Sequence, residues 1–252
     1  MMAGSEAAGT VEKAIDVLFH LHAEAAPCGV TEIGRALGVP KSSTHRLLTA
    51  LGRRGLVERD ERGRYRPGIG LVALGLGALE REPVVVAARP VLEAEAEALG
   101  ETFFLVAARA GRLVVLDKAE GSGFLRAAPR VGSSVPPHAT AVGKLFLAFA
   151  PELVAVPERP PERFTQRTAV DPSALEREVA LARERGFAEN REEWIPGLAV
   201  VAAPVSSAGR LAGAIAVAAP APRLEALGRA QVARRTREAA ARVAARLEGN
   251  SR

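Results

Sequence analysis

Apolar residues at Val11, Ala14, Ile15, Leu18 and Leu21 recur at helical spacing and predict a first helix over residues 9–25 with one buried stripe. Thr31 is a natural N-cap for a short second helix carrying Ile33, Ala36 and Leu37 on one side, and Gly38 ends it. Pro40 suits the first turn of a third helix, which runs from Lys41 to Arg54 and stops at Gly55. On that helix Thr44, Leu47, Leu48 and Leu51 share one side. The opposite side holds Ser42, Ser43, His45, Arg46, Thr49, Ala50 and Arg53. It is a surface of short hydrogen-bonding side chains and arginines without a carboxylate, where an ordinary solvated helix would mix acids and bases at i,i+4. Leu56 to Arg66 then reads as two short extended stretches around a charged turn with Gly63, a hairpin with arginines at its tip. Three helices, the second pair joined at Gly38-Val39, followed by a basic hairpin make the winged helix-turn-helix arrangement.

Farther along, Ile69 to Ala78 is apolar and Gly-rich and meets Glu80-Arg81-Glu82-Pro83, which predicts a connecting helix and a domain boundary. Residues 84–99 are again helical in pattern. Residues 102–108 and 112–116 are β-like runs around Ala110-Gly111, with 124–127 a candidate to pair with them. Helices are expected over 138–149, over 173–185 with Asp171 or Ser173 as cap, and over 223–247 at the close. Two apolar strands, 198–205 and 211–218, flank Ser206-Ser207-Ala208-Gly209, and Pro157 to Pro161 is an internal loop. The fold class is therefore α+β, with a winged helix-turn-helix over 1–68, a linker helix over 69–82, and an α/β domain with an antiparallel sheet over 83–252.

With 252 residues, 48% of them hydrophobic and 25% charged, the chain is long enough to bury a core and is neither disordered nor a bundle of membrane spans in composition. The start of the chain carries Glu6, Glu12 and Asp16 instead of a basic and then apolar leader, so a cytoplasmic location is expected. The one cysteine, Cys28, has no second thiol with which to form a disulfide or a thiolate zinc site. Of 34 basic residues 30 are arginines, and their placement matters more than the net +5. Between Thr31 and Arg66 nine bases face four acids, an excess that points this segment toward a polyanion.

Motifs for other chemistry fail on inspection. Gly143-Lys144 lacks the glycine at 138 and the hydroxyl at 145 that a phosphate loop needs, since His138 and Leu145 stand there. Gly68-Ile69-Gly70-Leu71-Val72-Ala73 matches a dinucleotide pattern formally, but Arg64-Tyr65-Arg66 before it is not a buried apolar strand. The histidines 20, 22, 45 and 138 form no ligand cluster, and no nucleophile is spaced to His138. No enzyme activity, metal or cofactor is expected.

The chain resembles the IclR family of bacterial transcriptional regulators over nearly its whole length. In the first half the resemblance is carried by Thr31-Glu32-Ile33, by Gly38-Val39-Pro40-Lys41-Ser42-Ser43-Thr44-His45-Arg46-Leu47-Leu48, and by Gly63-Arg64-Tyr65-Arg66-Pro67-Gly68. In the second it is carried by Gly100-Glu101-Thr102, Arg130-Val131-Gly132, Pro136-Pro137-His138-Ala139-Thr140-Ala141-Val142-Gly143-Lys144, Gly186-Phe187 through Glu193, Gly197, and Ala202-Ala203-Pro204-Val205. The resemblance implies a homodimer or homotetramer that binds double-stranded operator DNA and changes its grip when a small-molecule effector, often a carboxylic acid, occupies the second domain; no membrane partner is implied.

On this reading the third helix enters the major groove, with Ser42, Ser43, His45, Arg46 and Thr49 toward bases and phosphates and Lys41 and Arg53 toward the backbone. Arg46 is the best candidate for base readout, since an arginine can address guanine bidentately. Arg62 and Arg64 of the hairpin contact phosphate or the minor groove. The resemblance further implies that the amides of Ala141 and Val142 hold a ligand carboxylate. It matches the family's polar pocket positions to Asn190, Val200, Ala216 and Ala218, with Phe124 and Ala127 as further wall. Three of those four polar positions are apolar in this chain. The departure points to a larger or more apolar ligand, such as an aromatic or acyl acid, or to a domain without ligand. The alternative reading is a sensory scaffold that uses the helix-turn-helix for protein contacts.

Overall fold

In the computed structural model, which describes residues 3–123, 129–154 and 160–249, the first helix, α1 (Ala3–Ala23), buries Val17 and Leu21 but leaves Val11, Ile15 and Phe19 exposed. The apolar sector of α1 is wider than the core it covers, so Val11 and Ile15 of the expected buried stripe face outward and Val17 faces in. Around Val17 and Leu21 gather Ile33 of α2 (Val30–Ala36), Leu47, Leu48 and Leu51 of α3 (Lys41–Arg53), and Val57 and Tyr65 of a two-stranded hairpin, β1 (Val57–Arg59) and β2 (Tyr65–Pro67). Cys28 lies in the same core and exchanges both backbone hydrogen bonds with Tyr65, at 2.8 Å each, which ties the hairpin to the α1–α2 connection. Burial, with Glu24 and Glu32 nearby, pushes its thiol up. The helix α4 (Ile69–Glu80) follows and buries none of its side chains.

The cap of α2 differs from expectation. Its N-cap is Gly29, and Thr31 lies inside the helix. The Gly29 amide donates to Glu32 Oε2 at 2.8 Å, so an acid one turn in satisfies the helix start in place of a hydroxyl cap.

The chain divides into two compact units between Leu79 and Glu80. Among the described residues the second unit is built on a six-stranded antiparallel sheet in the order β5-β4-β3-β8-β7-β6. Its strands are β3 (Thr102–Arg109), β4 (Arg112–Ala119), β5 (Ser134–Val135), β6 (Ala188–Arg191), β7 (Leu198–Ser207) and β8 (Arg210–Pro220). The near-continuous apolar runs of β3, β7 and β8 reflect burial on both faces. Helices α5 (Pro83–Leu99) and α9 (Arg229–Gly249) pack on one face, and α6 (Ala141–Phe149), itself packed against α7 (Pro172–Arg185), covers the other. Many of the sheet residues under α6 are alanines, Ala202, Ala214, Ala216 and Ala218 among them, which lets the helix approach closely.

The second unit departs from the sequence reading in three ways. The helix expected from His138 begins at Ala141, because Thr140 is its N-cap and accepts the Gly143 amide at 3.0 Å. His138 stays before the helix and stacks on Phe164, ring centroids 5.6 Å apart. The single closing helix is two, α8 (Ala221–Leu227) and α9, separated where Gly228 takes φ 80°. The edge strands β5 and β6 are short and escaped the periodicity. The proposed pairing of 124–127 falls outside the described residues, as does most of the 157–161 loop. Among the described residues no helix is long and apolar enough to cross a membrane.

Candidate functional site

Helix α3 buries Thr44, Leu47, Leu48 and Leu51, the four residues whose spacing assigned them to one side. Its outer face is the expected one. Lys41, Ser42, His45, Arg46, Thr49 and Arg53 are exposed and Ser43 is half-buried. Thr49 donates to the His45 carbonyl at 2.8 Å, and Arg46 Nη2 lies 3.5 Å from Ser43 Oγ, so the face is organised by its own side chains, and among the described residues its cations meet no carboxylate. The buried Thr44 hydroxyl reaches the carbonyls of Val39 and Pro40, at 3.3 and 3.1 Å, and locks the turn between α2 and α3. At this crossing Gly34 is required: a Cβ there would lie 2.7 Å from the Val39 carbonyl and 3.0 Å from Thr44 Oγ1.

The two hairpin arginines fare differently. Asp60 accepts from the amides of Arg62 and Arg64, at 3.0 and 2.8 Å, and shapes the turn with Gly63. The Arg62 side chain is exposed, with no side-chain partner among the described residues. Arg64 instead donates through Nε to the Pro27 carbonyl at 2.6 Å and through Nη2 to Glu32 at 2.8 Å. Arg59 and Arg66 are likewise held within the hairpin, by the Gly63 carbonyl and by Glu58.

In the second unit a second constellation forms at the start of α6. Thr140 takes the Gly143 amide on its hydroxyl and the Lys144 amide on its carbonyl. The amides of Ala141 and Val142, both buried, are left without an acceptor among the described residues. They border a narrow cavity of about 20 Å³ walled by Phe104, Trp194, Ile195, Leu198 and Val200, with Thr140 and Asn190 as its polar members. Asn190, Val200 and Ala218 are neighbours across β6, β7 and β8, as Ala216 is of Phe104 and Ala202. The sheet register thus aligns the matched positions on one face. Ala216 and Ala218 lie in the core beneath α6 and outside the cavity lining, whereas Asn190, Val200, Ala141 and Val142 reach it. Phe124 and Ala127 lie outside the described residues.

Three features of this region are absent from the sequence reading. Gly143 lies under the Pro136-Pro137 segment so closely that a Cβ would meet the Pro137 carbonyl oxygen at 1.9 Å. Lys144 is only 1% exposed and places its ammonium 2.7 Å from Glu193 Oε1 and 3.0 Å from the Glu189 carbonyl, with Glu178 at 3.4 Å. Trp194 enters the wall from the loop between β6 and β7. The Gly143-Lys144 pair itself is visible in the sequence, and its failure as a phosphate loop leaves a buried, paired lysine as the remaining use.

Two family models match the chain: the IclR helix-turn-helix domain over residues 10–61, and the bacterial transcriptional regulator IclR C-terminal domain over residues 76–245. The HTH-type transcriptional regulator BhcR of Paracoccus denitrificans is 33% identical over 229 residues, covering 88% of this chain and 82% of its own. The HTH-type transcriptional regulator XynR of Escherichia coli is 32% identical over 200 residues, covering 78% and 79%. The crystal structure of the Thermotoga maritima IclR superposes with a TM-score of 0.76 at 26% identity, covering 95% of this chain and 99% of that one. An IclR homologue from Microbacterium hydrocarbonoxydans complexed with 4-hydroxybenzoate shares the fold, with a TM-score of 0.81 at 23% identity and coverage of 95% and 99%.

Proposed function

This chain belongs to the IclR family of bacterial transcriptional regulators, and from that premise we propose how its residues divide the work: 1–68 bind operator DNA, 69–82 are the linker, helical from Ile69 to Glu80, and 83–252 bind a small organic acid that alters the affinity for the operator. The observation that carries the DNA half is the outer face of α3, where exposed Lys41, Ser42, His45, Arg46, Thr49 and Arg53 stand beside half-buried Ser43 with no acid on the helix. Cations there neutralise phosphates and release counterions, which gives affinity that falls with salt. Arg46, near the middle of the face, reads a guanine edge, while Ser and Thr contribute less specific contacts. Arg62, exposed and without a side-chain partner among the described residues, contacts the backbone beside the groove.

The ligand half rests on the amides of Ala141 and Val142, which have no acceptor among the described residues, at a helix start that opens on an apolar cavity. Such amides favour an anion without any cationic side chain. The homologue holding 4-hydroxybenzoate supports the choice of an organic acid over a sugar or a cation. The chain acts as a cytoplasmic homodimer or homotetramer and not as an enzyme, since a two-fold pair of reading helices matches a palindromic operator. The test is selection of duplexes from a random pool by the full chain: enrichment of one two-fold-related sequence is expected, and binding that never rises above the input pool would overturn the reading.

A further inference from the structure

We propose that Trp194 is the specificity-determining residue of the second unit, and that it selects a monocarboxylate with a flat apolar body of about benzoate size. The inference rests on the reading that the amides of Ala141 and Val142 hold an organic anion, and it goes further by naming what meets the rest of the ligand.

The wall chemistry sets the class. Among the described residues no charged side chain lines the cavity. Apart from the indole N–H of Trp194, its polar side chains already hold partners: the Thr140 hydroxyl donates to the Pro136 carbonyl at 2.8 Å and accepts the Gly143 amide, while the Asn190 carboxamide donates to the Ala139 carbonyl and accepts the Glu193 amide at 3.1 Å. A second carboxylate, an amine or a ring of hydroxyls on the ligand would therefore meet Phe104, Leu198 and Val200 and lose its hydrogen bonds to water without replacement. One anionic end and an otherwise apolar body fit what is left.

The space sets the residue. A cavity of about 20 Å³ holds little more than a water, so any organic acid must displace a wall. The backbone carrying Trp194 is tied on both sides. Before it, the Glu192 amide bonds to the Leu198 carbonyl at 2.9 Å, Thr165 donates to the Glu192 carbonyl at 2.8 Å, and Thr168 donates to the Glu193 carbonyl at 2.7 Å. Buried Lys144 holds the Glu193 carboxylate. After it, the Ala221 amide bonds to the Gly197 carbonyl at 2.8 Å. Glu192 keeps a left-handed φ of 62° at the head of this loop, a conformation that persists where the surroundings over-determine it. With the backbone fixed, a side chain must yield. Among the aromatic side chains of the described wall, Phe104 is buried within the sheet at 3% exposure, whereas Trp194 is half-buried. Its indole occupies the place of the ligand's apolar body and turns aside when that body enters.

Trp194 is the one tryptophan of the chain, so emission excited at the red edge of indole absorption, where Tyr65 does not absorb, reports this position alone. The full chain, W194A and W194F are titrated with benzoate, 2-naphthoate and glyoxylate by calorimetry, with emission followed in the wild type. The wild type should bind benzoate with a change in emission, prefer it to 2-naphthoate, and ignore glyoxylate. W194A should gain about tenfold or more for 2-naphthoate relative to benzoate, while W194F should keep the wild-type order. Benzoate binding without a change in emission would overturn the proposal, as would an unchanged ratio in W194A or tight glyoxylate binding. The emission readout stands on the wild type even if W194A does not fold. If no acid binds the wild type, the anion pocket itself is wrong and Trp194 falls with it; if acids bind but Trp194 is indifferent, only the specificity assignment fails.

Discussion

Arg64, at the end of the hairpin turn, reaches back to α2 and sets its guanidinium 2.8 Å from the Glu32 carboxylate, the same oxygen that accepts the Gly29 amide. One carboxylate thus caps a helix and holds the hairpin. Arg62, two residues away, has an exposed side chain without a partner among the described residues. The two arginines should behave differently when removed. R62A should leave thermal stability unchanged and lower the slope of log affinity against log salt by about one. R64A should lower the melting temperature of the first unit as well as DNA affinity. Melting curves and salt titrations of the two variants check this, and equal effects on stability would contradict it.

Gly34 and Gly143 each sit where a methyl group has no room, one at the α2–α3 crossing and one at the start of α6. G34A should destabilise the first unit by about 1–3 kcal/mol and weaken DNA binding while leaving benzoate binding intact. G143A, whose Cβ would meet backbone more closely, should abolish benzoate binding by displacing the amides of Ala141 and Val142. Calorimetry on both variants separates the outcomes, and loss of benzoate binding in G34A would contradict the assignment.

Asp117 is buried on β4 with one carboxylate oxygen on Arg89 and the other without a partner among the described residues. Burial pushes its carboxyl above the ordinary 3.8, against the pull of Arg89 and of the Lys118 amide. The folded chain therefore keeps a proton that the unfolded chain has lost as pH rises through 3.8. Stability contributed by this site is present at low pH, declines as pH rises to the folded value, and is level above it. Between about pH 3 and about pH 7 the stability of the wild type relative to D117N should fall. Denaturant unfolding of both proteins at several pH values checks the sign, and a rise would contradict it.

Much of the first unit was legible because its signals are local. The inward residues of α3 follow from 3.6-residue spacing, and its outer face follows as the remainder. What local pattern missed has a common cause. The excess width of the α1 apolar sector, the Gly29 cap and the tie of Arg64 to Glu32 depend on what lies opposite, which spacing along one element does not encode. The same holds in the second unit. The sheet strands β3, β7 and β8 announced themselves as apolar runs, but the strand order, the buried Lys144 and the loop that carries Trp194 arise from contacts more than twelve residues apart in sequence. The family-matched positions Asn190 and Val200 were identifiable, while the prior engagement of Asn190 with the Ala139 carbonyl and the Glu193 amide was visible only in three dimensions.

We propose that the acid-free face of α3 reads DNA sequence through Arg46. The most direct measurement is the base-preference profile of the full chain and of R46A, each determined by selection from the same random duplex pool at one salt concentration. R46A should retain salt-dependent binding but lose discrimination at one guanine in each half-site, by about 1–3 kcal/mol. A profile for R46A that superimposes on that of the wild type at every position would contradict it.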